Sequence, residues 1–141
     1  MRYLPLLTLL ACSKDPLKRG EYVIRMDTFT NDTCGLTPEA VGVGTVWTAD
    51  LSWDGDLILL EGFRSDTSYA PVGDWWEAQS DSARETSVCI ETFTEEHELY
   101  VVDETTLRID ATLRLGQRGN CDGVDTPAPC TYDLVYSGTR L

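Results

Sequence analysis

The sequence predicts an all-β fold, most simply a small antiparallel barrel of about eight strands, and three observations predict it. From Gly20 onward the chain is rich in Thr, Val, Tyr and Trp, residues that suit a pleated, half-buried surface. Turn-forming residues interrupt it about every 8 to 12 residues. Where a face can be read, apolar and polar residues alternate with period two, and no convincing 3.6-residue stripe is present. Short strands whose edges must be hidden close into a barrel, and sequential hairpins favour a meander. A two-sheet sandwich is the alternative.

Taken in order, the first strand is expected over residues 21–28. Thr37 can cap one helical turn over 37–40, with Pro38 at the first position, where a missing N–H costs nothing. The next strand, 43–53, places Val43, Thr45, Trp47, Ala49, Leu51 and Trp53 on one side. It leads into Asp54-Gly55, a strong two-residue hairpin signal, and then into a strand over 56–63. Further strands are expected over 74–80, 86–93 and 98–102. A turn at 103–106 joins the last of these to 107–115, the clearest alternation in the chain. There Leu107, Ile109, Ala111, Leu113 and Leu115 share one face, and Arg108, Asp110, Thr112 and Arg114 the other. Residues 131–140 form the last strand.

The 141 residues suffice for one domain with a core. Eleven basic against 24 acidic residues give a formal charge of -13, which argues against partners held through phosphates, both nucleic acid and anionic headgroups. No stretch reaches the roughly 18 to 20 apolar residues of a transmembrane helix.

The chain opens MRYLPLLTLLAC: a positive start, an apolar run from Leu4 to Leu10, then small Ala11 before Cys12. The segment Leu9-Leu10-Ala11-Cys12 resembles the lipobox of bacterial lipoproteins. The resemblance implies that residues 1–11 are a signal peptide, that the Cys12 thiol receives a diacylglyceryl group, and that cleavage frees an amine which is usually acylated as well. Residues 12–19 would then be a lipidated tether and 20–141 the folded domain. Two or three acyl chains anchor firmly where one is marginal. The implied place is the cell envelope, with the membrane as partner through the lipid. Ser13 directly after the cysteine leans towards the outer membrane in Gram-negative bacteria. The competing reading, an apolar first strand with a buried cysteine, fits poorly with Pro5 and with the polar SKDPLKRG that follows.

Five cysteines are an awkward number for an exported protein. Assigning Cys12 to lipid leaves Cys34, Cys89, Cys121 and Cys130, which an oxidising compartment would join in two disulfides. Of the three possible connectivities, Cys121–Cys130 closing the short loop CDGVDTPAPC, with Cys34–Cys89 crossing the fold, is favoured. The longer closure constrains the unfolded chain by about 4 kcal/mol. A zinc site is the rival, but no Cys-x-x-Cys pair occurs and His97 is the single histidine.

Candidate binding residues are aromatic. Trp75 and Trp76 are adjacent, so on a strand one faces the core and the other solvent, where with Tyr69 it could form a platform for a sugar, peptide or apolar ligand. The plainer reading is a rim residue partly covered by a loop. Trp47 and Trp53 face inward as core filling or cavity lining. His97 among Glu95, Glu96 and Glu98 reads as a solvated turn between two strands, or else as a pH-sensing or cation-binding group. Asp54, Asp56, Asn120, Asp122 and Asp125 offer oxygen ligands, but none falls in a twelve-residue calcium loop, so no metal is assigned. No nucleophile elbow, phosphate-cradling loop or His-Glu-x-x-His pair occurs, so neither a catalytic set nor a cofactor is assigned. These readings point to a non-enzymatic lipoprotein that serves as a binding or envelope-associated module. The alternative is a lipocalin-like carrier whose barrel holds a small apolar ligand among Trp47, Trp53, Trp75 and Trp76. A third, a cell-envelope hydrolase, would need two facing carboxylates.

Overall fold

A computed structural model describes residues 15–64, 66–123 and 128–141. Residues 1–14, which hold the expected signal peptide and Cys12, and Asp125 lie outside the described residues. Eight strands, β1 (Gly20–Thr30), β2 (Val46–Asp54), β3 (Leu57–Glu61), β4 (Thr67–Val72), β5 (Trp75–Glu85), β6 (Cys89–Asp103), β7 (Thr106–Gly119) and β8 (Cys130–Arg140), follow one another around a closed barrel. Each pairs antiparallel with its sequence neighbour, and β1 closes on β8. The meander barrel, rather than the sandwich, is therefore the fold. The capped turn is present as α1 (Pro38–Val41), with the Thr37 side chain accepting from the Ala40 N–H at 3.2 Å.

The strands differ from the expected ones in three places. Val43 and Thr45 precede β2, because Gly42 and Gly44, both with positive φ, turn the chain out of α1 there. β4 is an unforeseen strand: its only deeply buried side chain is Tyr69, so it shows no alternation to read. Residues 89–93 and 98–102 belong to one strand, β6, rather than two, and residues 86–88 form the turn before it. Read through, β6 alternates: Cys89, Glu91, His97 and Leu99 are buried while Thr92 and Glu98 face water. Three of the inward positions, Glu91, Glu95 and His97, are polar, and that made a continuous strand look like a turn.

An eight-stranded barrel is just wide enough for side chains to fill it. At the end formed by Trp53, Leu99, Leu107 and Tyr22 the filling is apolar, and Leu17 seals it, with no exposed surface. Trp53 Nε1 donates to the Leu17 carbonyl at 2.9 Å, Tyr22 Oη donates to the Lys18 carbonyl at 2.7 Å, and Lys18 N–H donates to the Glu104 carbonyl at 2.7 Å. The last part of the segment expected as a tether is thus docked on the barrel. At inward-facing Gly138 on β8 the side chains of two neighbouring strands press on the backbone: a Cβ there would meet Leu107 at 2.8 Å and Ile24 at 3.4 Å.

The four cysteines pair as Cys34–Cys130 and Cys89–Cys121, which corrects the expected connectivity. The reason is the register. Cys89 lies opposite Gly119 on the β6–β7 hairpin, beside Cys121. The pairing of Thr30 with Asp133 brings the segment after β1 to the start of β8, where Cys130 stands. Nearness in sequence mattered less than which strand ends the barrel puts side by side.

Candidate functional site

Strand lengths create an opening. β5, β6 and β7 have 11, 15 and 14 residues, but β3 and β4 have only 5 and 6. β4 therefore pairs with β5 only through Ala70–Glu77, Pro71–Trp76 and Val72–Trp75, after which β5 runs on beside β6 alone. Likewise β3 meets β2 only from Asp50 onward, so residues 46–49 of β2 pair with β1 alone. The wall has a notch between these two strand segments, at the end of the barrel away from Leu17. A cavity of about 430 Å³ lies there, lined by Trp47, Arg64, Ser80, Asp81, Ser82 and Glu95. A second, of about 240 Å³, adjoins it with Phe93, Leu113 and Tyr132.

The base of the notch is polar and tightly connected. Arg64, with φ of 43° in the left-handed region, follows β3 and reaches Glu95 of β6 with both sides of its guanidinium: Nε lies 2.9 Å from Oε1, and Nη2 donates to Oε2 at 3.0 Å. Glu95 Oε1 is also 2.6 Å from His97 Nε2, and His97 Nδ1 is 2.8 Å from Tyr69 Oη. A carboxylate can only accept, so Nε2 carries a proton; in the neutral imidazole Nδ1 is then the acceptor and Tyr69 the donor. Four side chains from β4, β6 and the turn after β3 are thus linked in series. Tyr69 and His97 are almost fully buried, and the Tyr69 ring stacks on the imidazole at 5.8 Å.

Burial alone would raise the Glu95 carboxyl, but the hydrogen bond from His97 and the charge of Arg64 outweigh it and hold the group below its ordinary value. Burial, reinforced by Glu95, pushes the Tyr69 phenol well above its usual range. Tyr136 Oη, fully buried, makes no hydrogen bond of ordinary geometry; burial raises its pKa against the opposing charge of nearby Arg64.

The residues singled out from sequence are dispersed. Trp47 borders the notch and packs edge-on against Phe63 at 5.4 Å and Tyr136 at 5.8 Å. Trp53 is buried about 20 Å further along β2, by the rise of six residues. It packs against Trp76, whose Nε1 donates to the Asp56 carbonyl. Trp75 lies on the outside over Tyr100. The two adjacent tryptophans do face opposite ways, but Tyr69 is buried at the His97 network and cannot form an outer platform. Glu95 and His97 are inside β6 and Glu96 and Glu98 outside it, so this group is not a turn. Asp54 and Asp56 sit at the β2–β3 turn, Asn120 and Asp122 beyond the other end of the barrel after β7. Among the described residues no group of three or more His, Cys, Asp or Glu could hold a metal ion, and no helix is long and apolar enough to cross a membrane. Arg64 was missed from sequence: a lone arginine in a turn gives no signal until β6 is read as one strand with Glu95 inside.

Comparison with protein-family models, with curated proteins and with solved structures found no match to this chain.

Proposed function

We propose that the protein is a non-catalytic binding module of the bacterial envelope, held to a membrane through lipid on Cys12, and that the notch is its recognition surface. The observation that carries the binding part is the interrupted wall itself: two strand segments paired on one side only, above a polar network already fixed in place. A rigid base with an open edge above it is suited to recognition, because little ordering is needed when a partner arrives. The network favours binding over catalysis, since Arg64 and His97 already occupy the oxygens of Glu95, leaving a poor general base.

An apolar cargo inside the barrel finds little support. Tyr22, Ile24, Ile58, Leu60, Leu99, Leu107 and Ile109 have no exposed surface, whether towards outer solvent or an internal void of water size. The lipid anchor rests on the Leu9-Leu10-Ala11-Cys12 motif. Growth with an alkyne-tagged fatty acid checks it: the native chain is expected to take up the label and sediment with membranes, and Cys12→Ser to do neither. A Cys12→Ser chain that stays labelled and membrane-bound overturns the anchor.

A further inference from the structure

Residues Ala78–Glu85 of β5 pair with β6 throughout, from Ala78–His97 to Glu85–Ile90, while the pairing of β5 with β4 ends one residue short of them, at Ala70–Glu77, although Thr67 of β4 still lies beside Ala78–Ser80. A strand paired on one side turns about half of its backbone N–H and C=O groups to the other, here about four of each. Natural edges of this length are usually blunted by lysine, proline or a bulge. The segment AQSDSARE contains neither residue, carries charge only at Asp81, Arg84 and Glu85, and keeps an unbroken register with β6. The edge is regular, exposed and able to accept another strand.

The charges beside it indicate what kind of strand. Glu77 stands directly opposite Glu98, and Gln79 opposite Glu96, on the outer face of the β5–β6 pair. Like charges directly across a sheet oppose folding. The neighbours do not neutralise Glu77 or Glu98: Glu77 accepts from Trp75 Nε1 and Glu98 from Tyr100 Oη, both neutral donors, and only Glu96 meets a cation, Arg114 at 3.4 Å. These three carboxylates, with Ala70, Val72 and Gln79, line a groove of about 490 Å³ that runs onto the β5 edge. Asp81 and Glu85 add to the acidity of the edge, where Arg84 is engaged by Glu91. A second copy of a chain with net charge -13 is poorly suited to such a surface.

We infer that the notch receives an extended, cationic segment of a partner protein, which adds a strand to β5 along Ala78–Glu85 and sets lysine or arginine side chains against Glu77, Glu96 and Glu98. This rests on the notch being the recognition surface. Backbone pairing supplies the affinity of such strand addition and side-chain chemistry its selectivity.

The probe is a capped, alternating lysine–threonine octapeptide, compared with its glutamate–threonine counterpart and with a lysine peptide carrying a central proline. Anisotropy and amide hydrogen exchange on the full-length protein are the readouts. The lysine peptide is expected to bind and to slow exchange across residues 78–85. The glutamate peptide should not bind, and the proline peptide should bind on the order of tenfold more weakly, having lost ladder bonds. Glu77→Gln/Glu98→Gln, both at exposed sites, should weaken the lysine peptide about three- to tenfold and flatten its salt dependence. Equal binding of the proline peptide, or binding without protection at 78–85, overturns the inference in favour of mere charge attraction. Protection by the glutamate peptide overturns the cationic class and leaves the notch standing. Protection that rises with protein concentration alone assigns the edge to a second copy and overturns it too. A photo-crosslinker at Ser82 in cells separates the remaining failures: crosslinks without lysine-peptide binding sink the inference only, and absence of both sinks the reading of the notch as well.

Discussion

Glu95 shows how a single side chain can be costly alone and stable in company. Inside the barrel an isolated carboxylate would be driven to neutrality; with Arg64 and His97 on its oxygens it stays ionised below its ordinary pKa. Because its folded-state pKa is depressed, the stability it contributes is present above the ordinary glutamate value of about 4.3 and is lost as pH falls through the lowered one. Glu95→Gln is therefore expected to lower unfolding stability at neutral pH by about 3 kcal/mol, since Arg64 is left half-buried without its counter-charge. It should also make the remaining stability less sensitive to acid as pH falls from the ordinary glutamate value through the lowered one. Denaturant titrations of both chains across that range check both the sign and the size. At this scale the sequence said least: His97 and its flanking acids drew attention as a group, yet only strand alternation tells Glu95 and His97 from Glu96 and Glu98, and Arg64 and Tyr69 join through contacts distant in the chain.

Among elements, legibility followed how apolar the inner face is. Residues 107–115 carry five apolar residues in alternation, and β7 was plain. β6 has polar residues at inward positions and was read as two strands with a turn between them, while β4 has one buried aromatic and was missed. Those two errors offset each other, which is why a count of about eight matched. The hairpin β2–β3 was visible from Asp54-Gly55, although the turn itself is Gly55-Asp56, between the paired residues Asp54 and Leu57. Close packing between strands also makes a sharp prediction. On β8, Gly138 sits opposite Ile24 of β1 and Leu107 of β7 and leaves no room for a methyl group. Gly138→Ala should cost about 1 to 3 kcal/mol through overpacking, despite the better strand propensity of alanine, and thermal unfolding would register it as a lower midpoint. A neutral or stabilising result would mean the barrel can open there at little cost.

For the molecule as a whole, the barrel was legible because hairpin order, strand number and the need to hide edges all favour closure, whereas disulfide connectivity depended on which ends closure brings together. The two bridges span 96 and 32 residues. In the chain-entropy account they constrain the unfolded state by about 4 to 5 and about 3 to 4 kcal/mol. Replacing Cys34 and Cys130 by serine should thus lower stability more than replacing Cys89 and Cys121, a ranking that paired denaturant melts can test. The reverse order would show that the longer bridge strains the folded barrel.

The Leu17 seal also sets a direction. Six residues such as 12–17 can span no more than about 20 Å when fully extended, and Leu17 and Lys18 are held at the end of the barrel that Trp53 and Tyr22 tie shut. A lipid on Cys12 would hold that closed end close to the bilayer and turn Trp47, Arg64 and the unpaired flank of β5 towards whatever lies beyond the membrane surface. Such a leash would be short enough to aim the notched end as well as retain it.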